Sequence, residues 1–314
     1  MEKIEFLHRP VLLQEALDGL NIKADGIYVD GTFGRGGHCG AILKRLGPKG
    51  RVIAIDKDPD AIKSGLAQFG QDPRFSIYQG SFTRLKAIVE GLNLKGSISG
   101  VLLDLGVSSP QLDDPLRGFS FLKEGPLNMR MDQDTSQSAA EFVNTASETQ
   151  LREVFWDFGE ERFARQIARA IVAARAEKAI ETTGELAAIV KEAHPRWERD
   201  KHPATRVFQA IRIFINGELD ELPQCLEQAV EVLEIGGRLA VISFHSLEDR
   251  IVKRFMRQAS NEPLELKRLP IQVSQWIPRL RCEGRARVPS QAEIEQNPRA
   301  RSAVLRVAEK MKVV

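Results

Sequence analysis

Three aspartates each close an apolar run in this chain: Asp30 after Tyr28-Val29, Asp56 after Val52-Ile53-Ala54-Ile55, and Asp104 after Val101-Leu102-Leu103. Buried carboxylates are costly without partners, so three of them at successive strand ends imply a cleft that uses negative charge. Asp30 leads straight into Gly31-Thr32-Phe33-Gly34-Arg35-Gly36-Gly37-His38, ahead of a helix-forming stretch at residues 39–46. Glycine allows a sharp turn and a close backbone approach to a ligand. The helix that follows offers unpaired N–H groups to whatever lies in the turn. Asp56 stands 26 residues after Asp30, near the spacing at which nucleotide-binding folds set a carboxylate on the ribose hydroxyls. The pattern is that of a site for a nucleoside cofactor.

The glycines at 31, 34, 36 and 37 read G-x-x-G-x-G-G rather than the G-x-G-x-x-G of a dinucleotide site. A carboxylate directly before the first glycine would repel a pyrophosphate but suits a ligand with an ammonium group. S-adenosylmethionine has one, together with a ribose diol for Asp56, and Asp30 and Gly34 enter the candidate site on this ground. A dinucleotide is the competing ligand. The plainer alternative is a tight turn whose glycines serve only close helix packing.

The elements that would position these residues alternate through the first third. Strands are predicted at 27–30, 51–56, 75–79 and 100–105, with helices between them that include 60–69 and 83–90. Such alternation signifies a parallel sheet with crossover helices. Residues from about 113 to 134, rich in Gly, Pro, Asp and Met, read as an ordered loop too long for a plain connector. Only helical patterns follow. Ser147-Glu148-Thr149-Gln150 and Thr182-Thr183-Gly184-Glu185 are capping-box signals. Residues 160–177 predict an amphipathic helix, and 202–235 one or two more, bent at Pro223. Residues 236–244 return to strand chemistry, and 302–308 supply a terminal strand. The chain thus reads as a doubly wound α/β sheet, residues 1–124 and 216–314, interrupted by an all-helical insertion at 125–215. Ligands of open parallel sheets sit beyond the carboxyl ends of the strands where the winding reverses. That rule gathers Asp30, Asp56, Asp104 and Ser243-Phe244-His245-Ser246 in one place.

A hydrophobic share of 42% and a charged share of 28% over 314 residues are those of a globular protein. No apolar run approaches the ~20 residues of a membrane span, and the first residues show no secretory pattern. Cys39, Cys225 and Cys282 lie far apart, and His8, His194 and His202 have no metal spacing. No metal or membrane association is expected, and the cytoplasm is the expected compartment. From Arg238 onward the chain holds 16 Lys and Arg against 8 Asp and Glu, densest at Arg279-Leu280-Arg281-Cys282-Glu283-Gly284-Arg285-Ala286-Arg287. Such a patch favours a polyanion, although a solvated basic loop would look the same. Arg196, Arg199, Lys201, Arg206 and Arg212 could likewise line a groove for RNA. Apolar helical stripes leave a homodimer open.

Several blocks resemble the bacterial 16S ribosomal RNA cytosine N(4)-methyltransferase family. They are the glycine turn, Leu103-Asp104-Leu105-Gly106-Val107-Ser108-Ser109-Pro110-Gln111-Leu112-Asp113, Arg117-Gly118-Phe119-Ser120-Phe121, Asn128-Met129-Arg130-Met131-Asp132, His202-Pro203-Ala204-Thr205-Arg206, Ile242-Ser243-Phe244-His245-Ser246-Leu247-Glu248-Asp249-Arg250 and Asn297-Pro298-Arg299-Ala300-Arg301-Ser302. The resemblance runs nearly end to end. It implies a class I S-adenosylmethionine-dependent methyltransferase sheet with a helical insertion. It also implies methyl transfer to the exocyclic amine of a cytidine in the decoding region of 16S rRNA, with the small ribosomal subunit as partner and S-adenosylhomocysteine as product. By matching motif, Gly36, Gly37 and His38 would touch the cofactor, Asp56 the ribose and Phe82 the adenine, with Asp104 and Gln111 completing the pocket. Asp104, Ser108 and Ser109 are candidates to position the reacting base. Phe119 and Phe121 could stack on it, because the loop after Asp104 lacks the Pro-Pro-aromatic sequence of other amino-methyltransferases, and Arg206 and His245 could bind the RNA. The rival readings are a non-catalytic RNA-binding ribosome assembly factor that retains the fold, and an NAD-dependent oxidoreductase.

Overall fold

The computed structural model describes residues 10–133, 137–195, 202–261 and 277–312. Seven strands form one sheet: β1 Ile27–Asp30, β2 Arg51–Asp56, β3 Phe75–Gln79, β4 Ile98–Asp104, β5 Leu233–Ser243, β6 Leu280–Cys282 and β7 Val304–Lys310. The described helices are α1 Leu13–Leu20, α2 Gly37–Leu43, α3 Pro59–Phe69, α4 Leu85–Gly91, α5 Ser109–Asp113, α6 Ala139–Thr145, α7 Glu148–Asp157, α8 Ala164–Glu177, α9 Thr183–Ala193, α10 Ala204–Asn216, α11 Glu218–Val232, α12 Ser246–Ser260 and α13 Gln291–Gln296. None of the described helices is long and apolar enough to cross a membrane.

The sheet order is β3-β2-β1-β4-β5-β7-β6. Strands β1 to β5 pair in parallel, whereas β7 runs antiparallel to both β5 and β6. Successive strand residues alternate between two apolar layers, as a period of two requires. Ile53, Ile55, Val101 and Leu103 pack with Leu85, Leu226, Val252 and Met256 of α4, α11 and α12. Val52, Ala54 and Leu102 pack with Ala16, Leu17, Ile42 and Ala61 of α1, α2 and α3. Helices therefore cover both faces, and the expected doubly wound α/β sheet is the observed fold. The winding runs from β1 outward to β3 on one side and from β4 to β5 on the other, so it reverses between β1 and β4.

The chain divides into two compact units, Met1–Gly106 with Leu219–Val314, and Val107–Glu218. The helical unit starts earlier than residue 125 because Phe119, Leu127 and Met129 are buried in its own apolar core with Phe142, Phe155 and Ile211, and Val107, Leu112 and Phe121 pack against that core. The loop from residue 113 lies inside this unit and is pinned by hydrogen bonds. The Arg117 guanidinium donates to the carbonyls of Arg130 and Met131, and Asn216 exchanges hydrogen bonds with Met129 and Met131.

Local readings differ from the structure at several places, among them the start of β5 at Leu233, inside the expected 202–235 helix. Helix α8 begins at Ala164 rather than 160, because Glu160 takes a positive φ of 49° and Glu161 accepts from the Phe163 amide at 2.8 Å. The break in 202–235 falls at Gly217, φ 61°, between α10 and α11, while Pro223 sits inside α11 without ending it. Helix α2 closes at Leu43, short of 46. Strand β6 lies within the arginine-rich stretch that carried no strand signal.

Candidate functional site

The turn after β1 is tied to both neighbouring strands. Gly31 donates to the Leu102 carbonyl of β4 at 2.9 Å, and Phe33 donates to the Ile55 carbonyl of β2 at 3.1 Å. The Thr32 hydroxyl oxygen accepts from the Asp104 amide at 2.6 Å, and the Thr32 amide donates to Asp30 Oδ1 at 3.2 Å. Asp56 holds the far side of the same turn: Oδ2 accepts from Gly34 at 2.7 Å and Oδ1 from Asp58 at 2.8 Å. Gly36 has φ 76°, and a Cβ there would come within 2.6 Å of Phe33 and 2.7 Å of Phe69. A Cβ on Gly37 would strike the Pro10 ring at 2.3 Å, so close packing by itself requires that glycine.

His38 is 6% exposed, and its Nε2 lies 3.1 Å from the Val11 carbonyl. A carbonyl can only accept, so Nε2 carries the proton and Nδ1 faces Asp104 Oδ2 at 3.5 Å. Asp104 Oδ1 is buried and, among the described residues, has no hydrogen-bond partner. At the tip of β5, the buried Glu248 gathers the backbone: its Oε2 accepts from Phe244 at 2.8 Å and from His245 at 3.3 Å. His245 is the N-cap of α12, and its Nε2 lies 3.1 Å from Glu248 Oε1.

Burial raises all three strand-end carboxylates. Asp30 is pushed up to about 7 by desolvation against the opposing hydrogen bond from Thr32, with Asp56 adding repulsion. Asp56 rises to about 6 for the same main reason, opposed by its two backbone hydrogen bonds and by Arg35. Asp104 is held well above the usual carboxylate range by desolvation, then by Asp30 and Glu248. Among the described residues, no Lys or Arg offsets Asp30 or Asp104. Buried acids without a neighbouring Lys or Arg, as Asp30 and Asp104 are among the described residues, favour a cationic ligand.

The MraW methylase family matches residues 5–311. The chain belongs to that family. The ribosomal RNA small subunit methyltransferase H of Legionella pneumophila (strain Paris) is 57% identical over 307 residues, covering 97% of this chain and 99% of the relative. The protein of the same name from Coxiella burnetii (strain RSA 331 / Henzerling II) is 55% identical over 304 residues, with the same coverage of both chains. Membership bears out the expected enzyme class, a methyltransferase that uses S-adenosylmethionine.

The residues at the β1–β4 reversal fit that cofactor chemically: among the described residues, Asp30 and Asp104 have no Lys or Arg beside them, and Asp104 Oδ1 has no donor. Phe82 follows β3 in a short 3-10 turn and packs against the sheet core, with Lys57 Nζ 5.9 Å from its ring centroid. Gln111 and Ser108 lie in the helical unit, where the buried Gln111 side chain accepts from the Ser108 amide at 2.8 Å to start α5, whose first residue is Ser109. Phe119 is buried in that unit's core, with Arg117 over its ring. Phe121 packs on His202 and Phe208. Arg206 lies on α10 and is half-buried. Of the other cations proposed for an RNA groove, Arg212 forms a twofold pair with Glu218, and Arg196, Arg199 and Lys201 lie outside the described residues.

Two residues that shape this site carried no assigned role in the sequence. Thr32 couples the β1 turn to β4, and nothing in a single sequence marks a turn threonine for that task. Glu248 was legible in retrospect, since His245-Ser246-Leu247-Glu248 has capping-box spacing with histidine in the capping place.

Proposed function

We propose that this enzyme methylates the exocyclic N(4) amine of a cytidine in the decoding region of 16S rRNA, acting in the cytoplasm on the small ribosomal subunit. The observation that carries the cofactor half of the reading is the trio Asp30, Asp56 and Asp104 at the ends of β1, β2 and β4, all raised by burial, with no Lys or Arg among the described residues offsetting Asp30 or Asp104. The substrate half is supported by the names of the relatives.

S-adenosylmethionine supplies, when bound, an electrophilic methyl group and two positive charges. In this reading Asp30 and Asp104 face the positive charges, whose field favours their ionised forms, and Asp56 receives the ribose while holding the glycine turn. Phe82 lies beside the adenine. The cytosine amine is a weak nucleophile because its lone pair is delocalised into the ring. Asp104 Oδ1, or a carbonyl of the 105–107 loop, accepts one N–H and returns density to nitrogen. Transfer would form one N–C bond and break the S–CH3 bond, leaving the thioether S-adenosylhomocysteine, and the amine proton would leave through that acceptor. Alignment of this kind can supply about 7–11 kcal/mol of the barrier reduction. Carbon methylation would need a nucleophilic cysteine. Cys39, near the turn, is fully buried, and desolvation with Asp30 pushes its thiol well above the ordinary value, which argues for the amine.

The test incubates the protein with labelled S-adenosylmethionine and small subunits that lack the modification, then digests the RNA for mass spectrometry. N(4)-methylcytidine is expected. Label on cytosine C5 or on a ribose would overturn the reading, and cofactor binding without any incorporation would favour the non-catalytic assembly factor.

A further inference from the structure

The arginine-rich stretch that dominates the sequence is largely consumed by the fold. Arg279 pairs with Glu227, Arg281 with Glu283 and Glu309, and Arg287 donates to the Glu15 carbonyl. Exposed positive charge collects instead on α12, Ser246–Ser260. Its buried side is Glu248, Val252, Met256 and Ala259. Arg250, Lys253, Arg254 and Arg257 are all exposed, at helical spacings that place them on one face. The helix has two acids, both in its first turn and both engaged. Glu248 is buried on the Phe244 and His245 amides, and Asp249 holds Arg306 through two hydrogen bonds of 2.7 and 3.0 Å. Among the described residues, no carboxylate pairs with Lys253, Arg254 or Arg257.

Such a face is not what helix stability selects. Cations four apart, Arg250 with Arg254 and Lys253 with Arg257, repel each other, where a Glu–Lys alternation would be favourable. The helix also starts at the β5 tip: its N-cap His245 follows Ser243-Phe244 directly, at the carboxyl end of the strand next to Asp104. A second exposed row, Arg162, Arg165 and Arg169, lies on and just before α8 in the helical unit. Helix α12 is the stronger candidate because it shares a unit with the three strand-end acids.

We propose that the Lys253, Arg254 and Arg257 face of α12 is a phosphate-binding track for the RNA substrate, leading the strand toward the β4–β5 end of the cleft. The inference rests on the RNA methyltransferase reading and extends it to a binding surface. Phosphate contacts position a nucleic acid without reading its sequence. The face should therefore contribute affinity in a salt-dependent way and leave base choice untouched.

The test compares the wild type with the triple variant Lys253→Ala, Arg254→Ala, Arg257→Ala. A control removes equal charge at Lys44→Ala, Lys49→Ala, Arg51→Ala, exposed residues by the start of β2, which β1 and β4 separate from β5. The probe is a labelled single-stranded RNA oligonucleotide titrated across a range of salt, with methylation of small subunits followed in parallel. For three lost contacts the slope of log affinity against log salt should fall by roughly 2, and affinity near physiological salt by about 10- to 50-fold. KM for the subunit should rise with kcat unchanged, S-adenosylhomocysteine affinity and melting temperature should hold, and Lys253→Arg, Arg254→Lys, Arg257→Lys should restore binding. An unchanged slope, or an equal fall in the control, would overturn the proposal. Intact RNA binding with lost subunit methylation would assign the face to a protein and overturn it too. A failure of the cytidine reading is distinguishable, because it removes N(4)-methylcytidine from wild-type reactions while leaving the oligonucleotide slopes as predicted.

Discussion

Asp30 illustrates how one carboxyl trades stability against ligand binding. Its unfolded value is 3.8 and its folded value about 7, so the folded state holds the extra proton between those limits. In the ligand-free protein this contribution is fully present below about pH 4 and is lost as pH rises through about 7. Asp30→Asn keeps an acceptor for the Thr32 amide and removes the buried charge. It should therefore raise the melting temperature of the ligand-free protein at pH 8, by an amount corresponding to at most about 4 kcal/mol. The gain should shrink toward pH 4. Cofactor binding should show the opposite sign, because a cationic ligand prefers the ionised acid. Wild-type affinity for S-adenosylhomocysteine should fall about tenfold from pH 8 to 6 by calorimetry, and Asp30→Asn should bind weakly with a flatter profile. A wild-type affinity independent of pH would remove Asp30 from the site.

At the scale of elements, the β1 turn is held by β2 and β4 together, and Thr32 is the side chain that joins the last pair. Thr32→Val keeps shape but leaves the Asp104 amide without its 2.6 Å acceptor. A loss of about 1–3 kcal/mol in chemical denaturation is expected from that orphaned group. Cofactor affinity should drop alongside, since Asp104 Oδ1 loses its fixed position. Thr32→Ser should restore both, and a valine variant of full stability and affinity would show that β4 needs no such tie. Strand ends, turn and caps were legible here because each is a local pattern. Apolar runs ending on acids marked β1, β2 and β4, and serine or threonine three residues before glutamate or glutamine marked α7 and α9. The start of α8 was not legible, because Glu160 turns the chain through a positive φ that its side chain does not advertise.

Across the whole molecule, the apolar core of the helical unit is distinct from the two layers that flank the sheet. Separate cores predict separable unfolding. Phe155→Ala, fully buried among the helices, should destabilise that unit by about 3–5 kcal/mol and split the calorimetric transition, the lower one shifting alone. The strand-end acids belong to the other unit, so their pH-dependent stabilisation should move with the upper transition. A single transition shifted as a whole would show the two units to be energetically one.

The sequence by itself determined the α/β class, the strand-end acids, the glycine turn and a cofactor with a positive charge, because hydrophobic period, chain direction and charge are properties of neighbouring residues. Only the tertiary structure decided which acids become neighbours, since the β3-β2-β1-β4-β5 order is a matter of long-range pairing. Burial, rather than residue type, then raised their proton affinities. Folding also decided which cations remain. Arg279, Arg281 and Arg212 found carboxylates distant or near in the chain, whereas Lys253, Arg254 and Arg257 found none among the described residues, because packing turned both acids of α12 to other partners.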